Sequence, residues 1–266
     1  MTDAMPLKGM PVWLSISDSP DLAARGLGEQ HVRDALLQFA RYVLTGGAEI
    51  VYGGDLRLGG YTRALFELVD LYAAPLSGKP RPRIVNFLPW PRWMELSQEE
   101  EERLEPYVRF EKGAEPSELA ADVRHRNALA LTAMRESAQR FVHEHHGAQV
   151  VMGGRVSGFS GYLPGLLEEV DLAVRGGTPV FIIGAFGGAA QEVGRALFGD
   201  GDAKRFELFP SPYPTPETLM AGLRQRGPGA FRNGLGPDEN RTLVETSDIH
   251  VALRLTLQGL VTLAKG

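Results

Sequence analysis

AQVVMGGRVSGFSGYLPG, residues 148–165, is the stretch on which the reading of the fold turns. It starts as a short apolar run, too brief for a helix, and ends that run in Gly153 and Gly154. A glycine-rich loop follows, then a helical pattern from about 162 to 175, then a second apolar run, PVFIIGA (179–185). A buried strand that passes through glycine into a helix and returns as a strand is the βαβ unit of a parallel sheet.

The same rhythm extends upstream. PVWLSIS (11–17) reads as a strand and QHVRDALLQFARYVL (30–44) as a helix, because Val32, Leu36, Phe39, Val43 and Leu44 recur at three- and four-residue steps. The helix stops at Gly46 and Gly47, and AEIVYGG (48–54) is the next strand. GYTRALFELVDLYA (60–73) has a helical pattern, and RIVNFLPW (83–90) is a strand ended by proline. SQEEEERLEP (97–106) is predicted as a solvated helical turn capped by Ser97, and YVRFEK (107–112) as a further strand. The longest helical pattern is SELAADVRHRNALALTAMRESAQRFVHEH (117–145), and GGAAQEVGRAL (187–197) closes the series. Residues 1–198 are therefore predicted as an α/β core, a Rossmann-like doubly wound parallel sheet flanked by helices.

Residues 199–266 have a different texture. Pro and Gly dominate to about 240, which predicts an irregular lid or packing segment with some helix in it. HVALRLTLQGLVTLAK (250–265) then reads as a terminal helix packed on the same domain.

Composition narrows the chemistry. With no cysteine, neither disulfides nor thiolate metal sites are available. A mean hydropathy of −0.14 and the lack of a long apolar run argue against a membrane span. The net charge of −5 supplies no global field for a nucleic-acid backbone, so no nucleic-acid partner is expected. The start, MTDAMPLKGMPVW, shows no basic-then-apolar leader, and a cytoplasmic location is the expectation. His143, His145 and His146 sit at a helix C-terminus, where the dipole favours cations, and no carboxylate cluster joins them. No metal and no cofactor are expected. GxSxG and Walker sequences are absent, as is GxGxxG after the first strand.

The 32 glycines matter by position, since three groups fall at strand ends. The first, YGGDLRLGGYT (52–62), contains Gly53, Gly54 and Gly59 and would aim Asp55 and Arg57 at the carboxyl edge of the sheet. The second carries Gly153, Gly154 and Gly158 with Arg155, Ser157 and Ser160, and the third is GAFGGAAQE (184–192). Open parallel sheets bind ligands at that edge, where glycine permits close backbone approach and helix N-termini attract phosphate. The exit of the first strand adds Ser17 and Asp18, groups that hydrogen-bond ribose or phosphate, and VRHRN (123–127) adds Arg124 and Arg126, an arginine fork for phosphate or carboxylate.

VYGGDLRLGG after the second strand, RHRNALALTAM in a long helix, VVMGG with its glycine loop, and then PVFIIG stand in an order that resembles the SLOG superfamily over about residues 10–198. That superfamily includes the Lonely Guy phosphoribohydrolases and nucleotide-sensor domains. The resemblance implies a nucleotide-derived ligand, such as a nucleoside monophosphate, ADP-ribose or a cyclic derivative, and a homo-oligomer. The enzymatic members carry an arginine in the helix before the fifth strand and PGGxGTxxE after that strand. Arg124 or Arg126 matches the arginine, and Gly153 and Gly154 match the paired glycines. The carboxylate departs from the pattern: Ser160 stands six residues after Gly154, and Glu168 and Glu169 come one turn late. This departure favours binding or sensing over hydrolysis. The alternative is a hydrolase or transferase in which Glu168 or Glu169 is the acid or base and Arg126 holds phosphate, with Asp18 or Asp55 as other candidate carboxylates.

Overall fold

The computed structural model describes residues 5–54, 56, 60–72, 83–116, 122–210 and 213–266. Among them, six strands form one parallel sheet: β1 Pro11–Ser17, β2 Glu49–Gly53, β3 Ile84–Leu88, β4 Val108–Lys112, β5 Ala148–Gly153 and β6 Val180–Ile183. Their order across the sheet is β4-β3-β2-β1-β5-β6. The chain winds outward from β1 to β4 and then returns to lay β5 against the other side of β1. That reversal makes the sheet doubly wound, with its switch point between β1 and β5.

The inner strands are short and mostly apolar because both faces are covered, whereas the edge strand β4, VRFEK, buries only Val108. On one face, α1 (Glu29–Thr45), α2 (Tyr61–Tyr72) and α9 (Ile249–Leu263) pack on Val12, Leu14, Ile50, Ile84 and Val150. On the other, α4 (Val123–Glu144) covers Trp13, Val51 and Val85, while α5 (Gly165–Gly176), α6 (Gly188–Leu197) and α7 (Pro216–Arg226) cover Val151, Val180 and Ile182. The short α3 (Gln98–Leu104) is capped as expected, with the Ser97 hydroxyl accepting from Glu100 N–H at 3.2 Å.

The Pro/Gly-rich stretch contains more order than its texture suggests. Thr215 caps α7 and Pro216 occupies its first turn, but only Pro216, Met220 and Leu223 of that helix are buried, which leaves little periodicity to read. α8 (Pro237–Glu245) runs beside β6, where Gly184 N–H reaches the Leu243 carbonyl at 3.1 Å. α4 begins at Val123, where Asp122 accepts from His125 N–H at 2.9 Å. The 117–121 part of the expected helix lies outside the described residues.

Candidate functional site

Two places at the carboxyl edge hold the polar residues. The first is the switch point. Gly154 N–H donates to the Ser17 carbonyl at 3.0 Å and Ala189 N–H to the Gly154 carbonyl at 3.0 Å, so the exits of β1 and β5 and the start of α6 are laced together. Asp18 accepts from the Tyr61 hydroxyl at 2.8 Å and from Arg155 at 3.2 Å. Burial and the Asp18 carboxylate push the Tyr61 hydroxyl pKa up, which keeps it a donor.

The third glycine group, expected to receive phosphate, receives a carboxylate of the protein itself. Gly188 N–H at the start of α6 donates to Asp21 at 2.8 Å, and Arg205 grips the same carboxylate at 2.6 and 3.2 Å. Burial opposes ionisation of Asp21, but the Arg205 and Gly188 hydrogen bonds outweigh it and hold the carboxyl below its ordinary range. An internal anion thus satisfies the positive end of α6. Among the described residues, the start of α6 is occupied by the protein's own carboxylate.

The second place is open. A cavity of about 210 Å³ lies between the ends of β2 and β3, the first half of α4 and the β5–α5 loop. Gly53 and Gly54 form one wall, Trp90 a second, and Asn127, Ser160 and Glu169 converge on it. The Asn127 Oδ1 and the Nε of Arg126 are buried without a hydrogen-bond partner among the described residues. The Arg126 guanidinium stands 5.7 Å from the Trp90 ring centre, a loose cation–π contact that leaves its Nε–H free.

Beneath the cavity lies a buried charged network. Arg135, on α4, ion-pairs with Glu168 and lies 3.3 Å from Glu169, the latter contact without hydrogen-bond alignment. Thr132 donates to Glu168 at 2.7 Å; Gln149 donates to Ser15 at 2.7 Å, and Ser15 donates to Glu169. Gly161 and Gly165 pack against the guanidinium so closely that a Cβ at either would stand about 3 Å from its nitrogens. Part of the glycine content of the 153–165 loop therefore serves Arg135. Burial raises the Glu169 pKa above its ordinary value; Arg135 and Ser15 oppose the rise and Glu168 adds to it.

The structure thus brings Gly53, Gly54, Ser160 and Glu169 to one cavity, with Arg126 beside it. Ser17, Asp18, Gly153, Gly154 and Arg155 belong to the switch point. Arg124 lies over Phe209 at 4.0 Å, Gly158 N–H donates to Glu207 at 2.7 Å, and Ser157 is exposed. Asp55, Arg57 and Gly59 lie outside the described residues. Among the described residues, no group of three or more His, Asp or Glu side chains is placed to hold a metal ion.

Sequence reasoning missed Arg135, the arginine of α4 that reaches the glutamates. Its signal was its phase: Ala128, Thr132, Arg135, Ala138 and Val142 follow the buried stripe of α4, and an arginine on such a stripe needs a buried anion.

An open, doubly wound parallel sheet with a polar cavity at its carboxyl edge is a Rossmann-like α/β fold, the class in which that edge is the usual place for small ligands. The chain belongs to the SLOG family: the SLOG cluster2 family model matches residues 6–208. No curated protein matches the chain. Family membership supports a nucleotide-related function in general.

Proposed function

We propose that the chain binds a nucleotide-derived ligand in the cavity bounded by Gly53, Trp90, Asn127, Ser160 and Glu169. The observation that carries this reading is the pair of buried, unpartnered atoms beside the cavity, the Arg126 donor and the Asn127 acceptor. Leaving such a group unpaired costs about 1–3 kcal/mol, and a ligand that offers a phosphate oxygen to one and a hydroxyl to the other recovers it. Gly53 and Gly54 keep side chains off the opposite wall. Titration calorimetry against AMP, NAD, ADP-ribose and cyclic ADP-ribose isomers tests the reading. Stoichiometric binding of one of them supports it, and silence across the panel removes it.

One observation favours a second reading, cleavage of an N-glycosidic bond: Glu169 lines the cavity, although its sequence position is one turn late. Glu169, whose pKa burial raises, gives a proton to the leaving base as the bond from the sugar breaks, and water adds to the sugar carbon and returns a proton to the carboxylate. Chromatography would detect free base. Loss of that product in Glu169→Gln, with ligand binding retained, supports cleavage, whereas unchanged release takes Glu169 out of the mechanism.

A further inference from the structure

A second, larger cavity of about 510 Å³ adjoins the first. Met134 lines both, and the end of β3 separates them, with Phe87 and Leu88 facing the larger and Pro89 and Trp90 the smaller. The Met134 thioether lies over Gly53, where a Cβ would stand 3.0 Å from its methyl carbon, so this glycine makes room for the divider. Methionine is an adaptable partition, because its unbranched side chain changes shape at little cost.

The two cavities differ in chemistry. The smaller has the unpartnered Arg126 and Asn127 atoms beside it. The larger has an apolar floor of Phe87, Leu129 and Met134 and an acidic rim, Glu111, Glu115 and Glu136. Glu111 is paired with Arg109 at 3.0 Å, and Lys112, on the same rim, with Glu101 at 2.7 Å. Tyr213 closes one side and is itself braced by stacking on Tyr162 at 4.8 Å. Such a surface repels an anion and accepts a flat, uncharged group that carries hydrogen-bond donors.

We infer that the two cavities form one bipartite site, in which the phosphorylated sugar of the ligand occupies the smaller and an uncharged base, or a base-bearing extension, passes Met134 into the larger. This rests on the binding reading above and adds the direction in which the ligand lies. It also makes the larger cavity the place where ligands that share a phosphoribosyl end are told apart.

Two exposed positions test it without entering the core, Ala133 on the wall of the larger cavity and Ser160 on that of the smaller. The probes are ribose 5-phosphate, AMP and ADP-ribose, titrated into the full chain. AMP or ADP-ribose is expected to bind at least about tenfold more tightly than ribose 5-phosphate, a difference of ~1.4 kcal/mol. Ala133→Trp is expected to erase that advantage and leave ribose 5-phosphate within about twofold of wild type, while Ser160→Trp weakens all three. Ser137→Trp, also exposed on the larger cavity, repeats the test should Ala133→Trp fold poorly. If neither larger probe gains over ribose 5-phosphate, or the gain survives both tryptophans, the bipartite site is wrong and the binding reading stands. If none of the three probes binds, the bipartite site is wrong, and the binding reading falls with it when NAD and the cyclic ADP-ribose isomers are silent too.

Discussion

Arg135 on α4 and Glu169 on α5 lie 3.3 Å apart beneath the cavity, and the same guanidinium also holds Glu168. A single buried cation thus joins two helices and supports the carboxylate that faces the cavity. Replacing it with an apolar side chain leaves two buried carboxylates uncompensated. Arg135→Met is expected to lower stability by about 3–5 kcal/mol, read from the urea unfolding midpoint at neutral pH. A loss under ~1 kcal/mol would show that the network is not held as described.

The raised Glu169 pKa has a definite sign in a pH series. Its unfolded carboxyl titrates near 4.5, and the folded one higher, so between the two values the folded state binds more protons. Its contribution is complete below 4.5 and is lost as pH rises through the folded value. Wild type is expected to lose stability relative to Glu169→Gln over that window. Parallel curves for the two proteins would contradict this.

Asp21 has the opposite sign. Held below its ordinary value of 3.8, it stabilises the fold above that pH and ceases to do so as pH falls through its folded value. Asp21→Asn is expected to cost about 1–3 kcal/mol at neutral pH, from the lost charge-assisted bonds to Arg205 and Gly188. The gap between variant and wild type should close toward strongly acidic pH. A pH-independent gap would assign the cost to packing.

Two glycines with nearly equal φ separate conformation from packing. Gly158 has φ +63 with open space around it, whereas Gly188 has φ +64 and a Cβ there would overlap the Gly154 carbonyl oxygen. Gly158→Ala is expected to cost about 1–2 kcal/mol, and Gly188→Ala about 1–3 kcal/mol more. Thermal melts of the two variants check the order, and equal losses would remove the packing argument.

Asn127→Ala tests the cavity with little structural penalty, because the Oδ1 atom it removes has no hydrogen-bond partner among the described residues. About tenfold weaker binding of whichever nucleotide binds wild type is expected, with an unchanged melting temperature. Undiminished affinity would place the ligand elsewhere.

Much of the fold was legible from β1 to α6, since strands covered on both faces must be continuously apolar and their helices must carry a striped face. α7 was not, because a helix that buries three side chains leaves no stripe and shows itself only through Thr215 and Pro216. The candidate site was legible in part. Gly53, Gly54, Ser160 and Glu169 could be named because glycine groups and unpaired acids stand out along a chain, and they do meet at one cavity.

By itself, then, the sequence determined the α/β class and the strand-to-helix rhythm, which follow from local periodicity, and pointed to the carboxyl edge through the glycines at strand ends. Tertiary structure alone decided which polar groups neutralise one another. Asp21 at the start of α6, Arg205 on Asp21, and Arg135 between Glu168 and Glu169 are long-range pairings with no sequence spacing to announce them. Desolvation favours each such pairing, and the Arg126 Nε and Asn127 Oδ1, two of the five buried side-chain atoms without a partner among the described residues, are the groups on which the proposed ligand site rests.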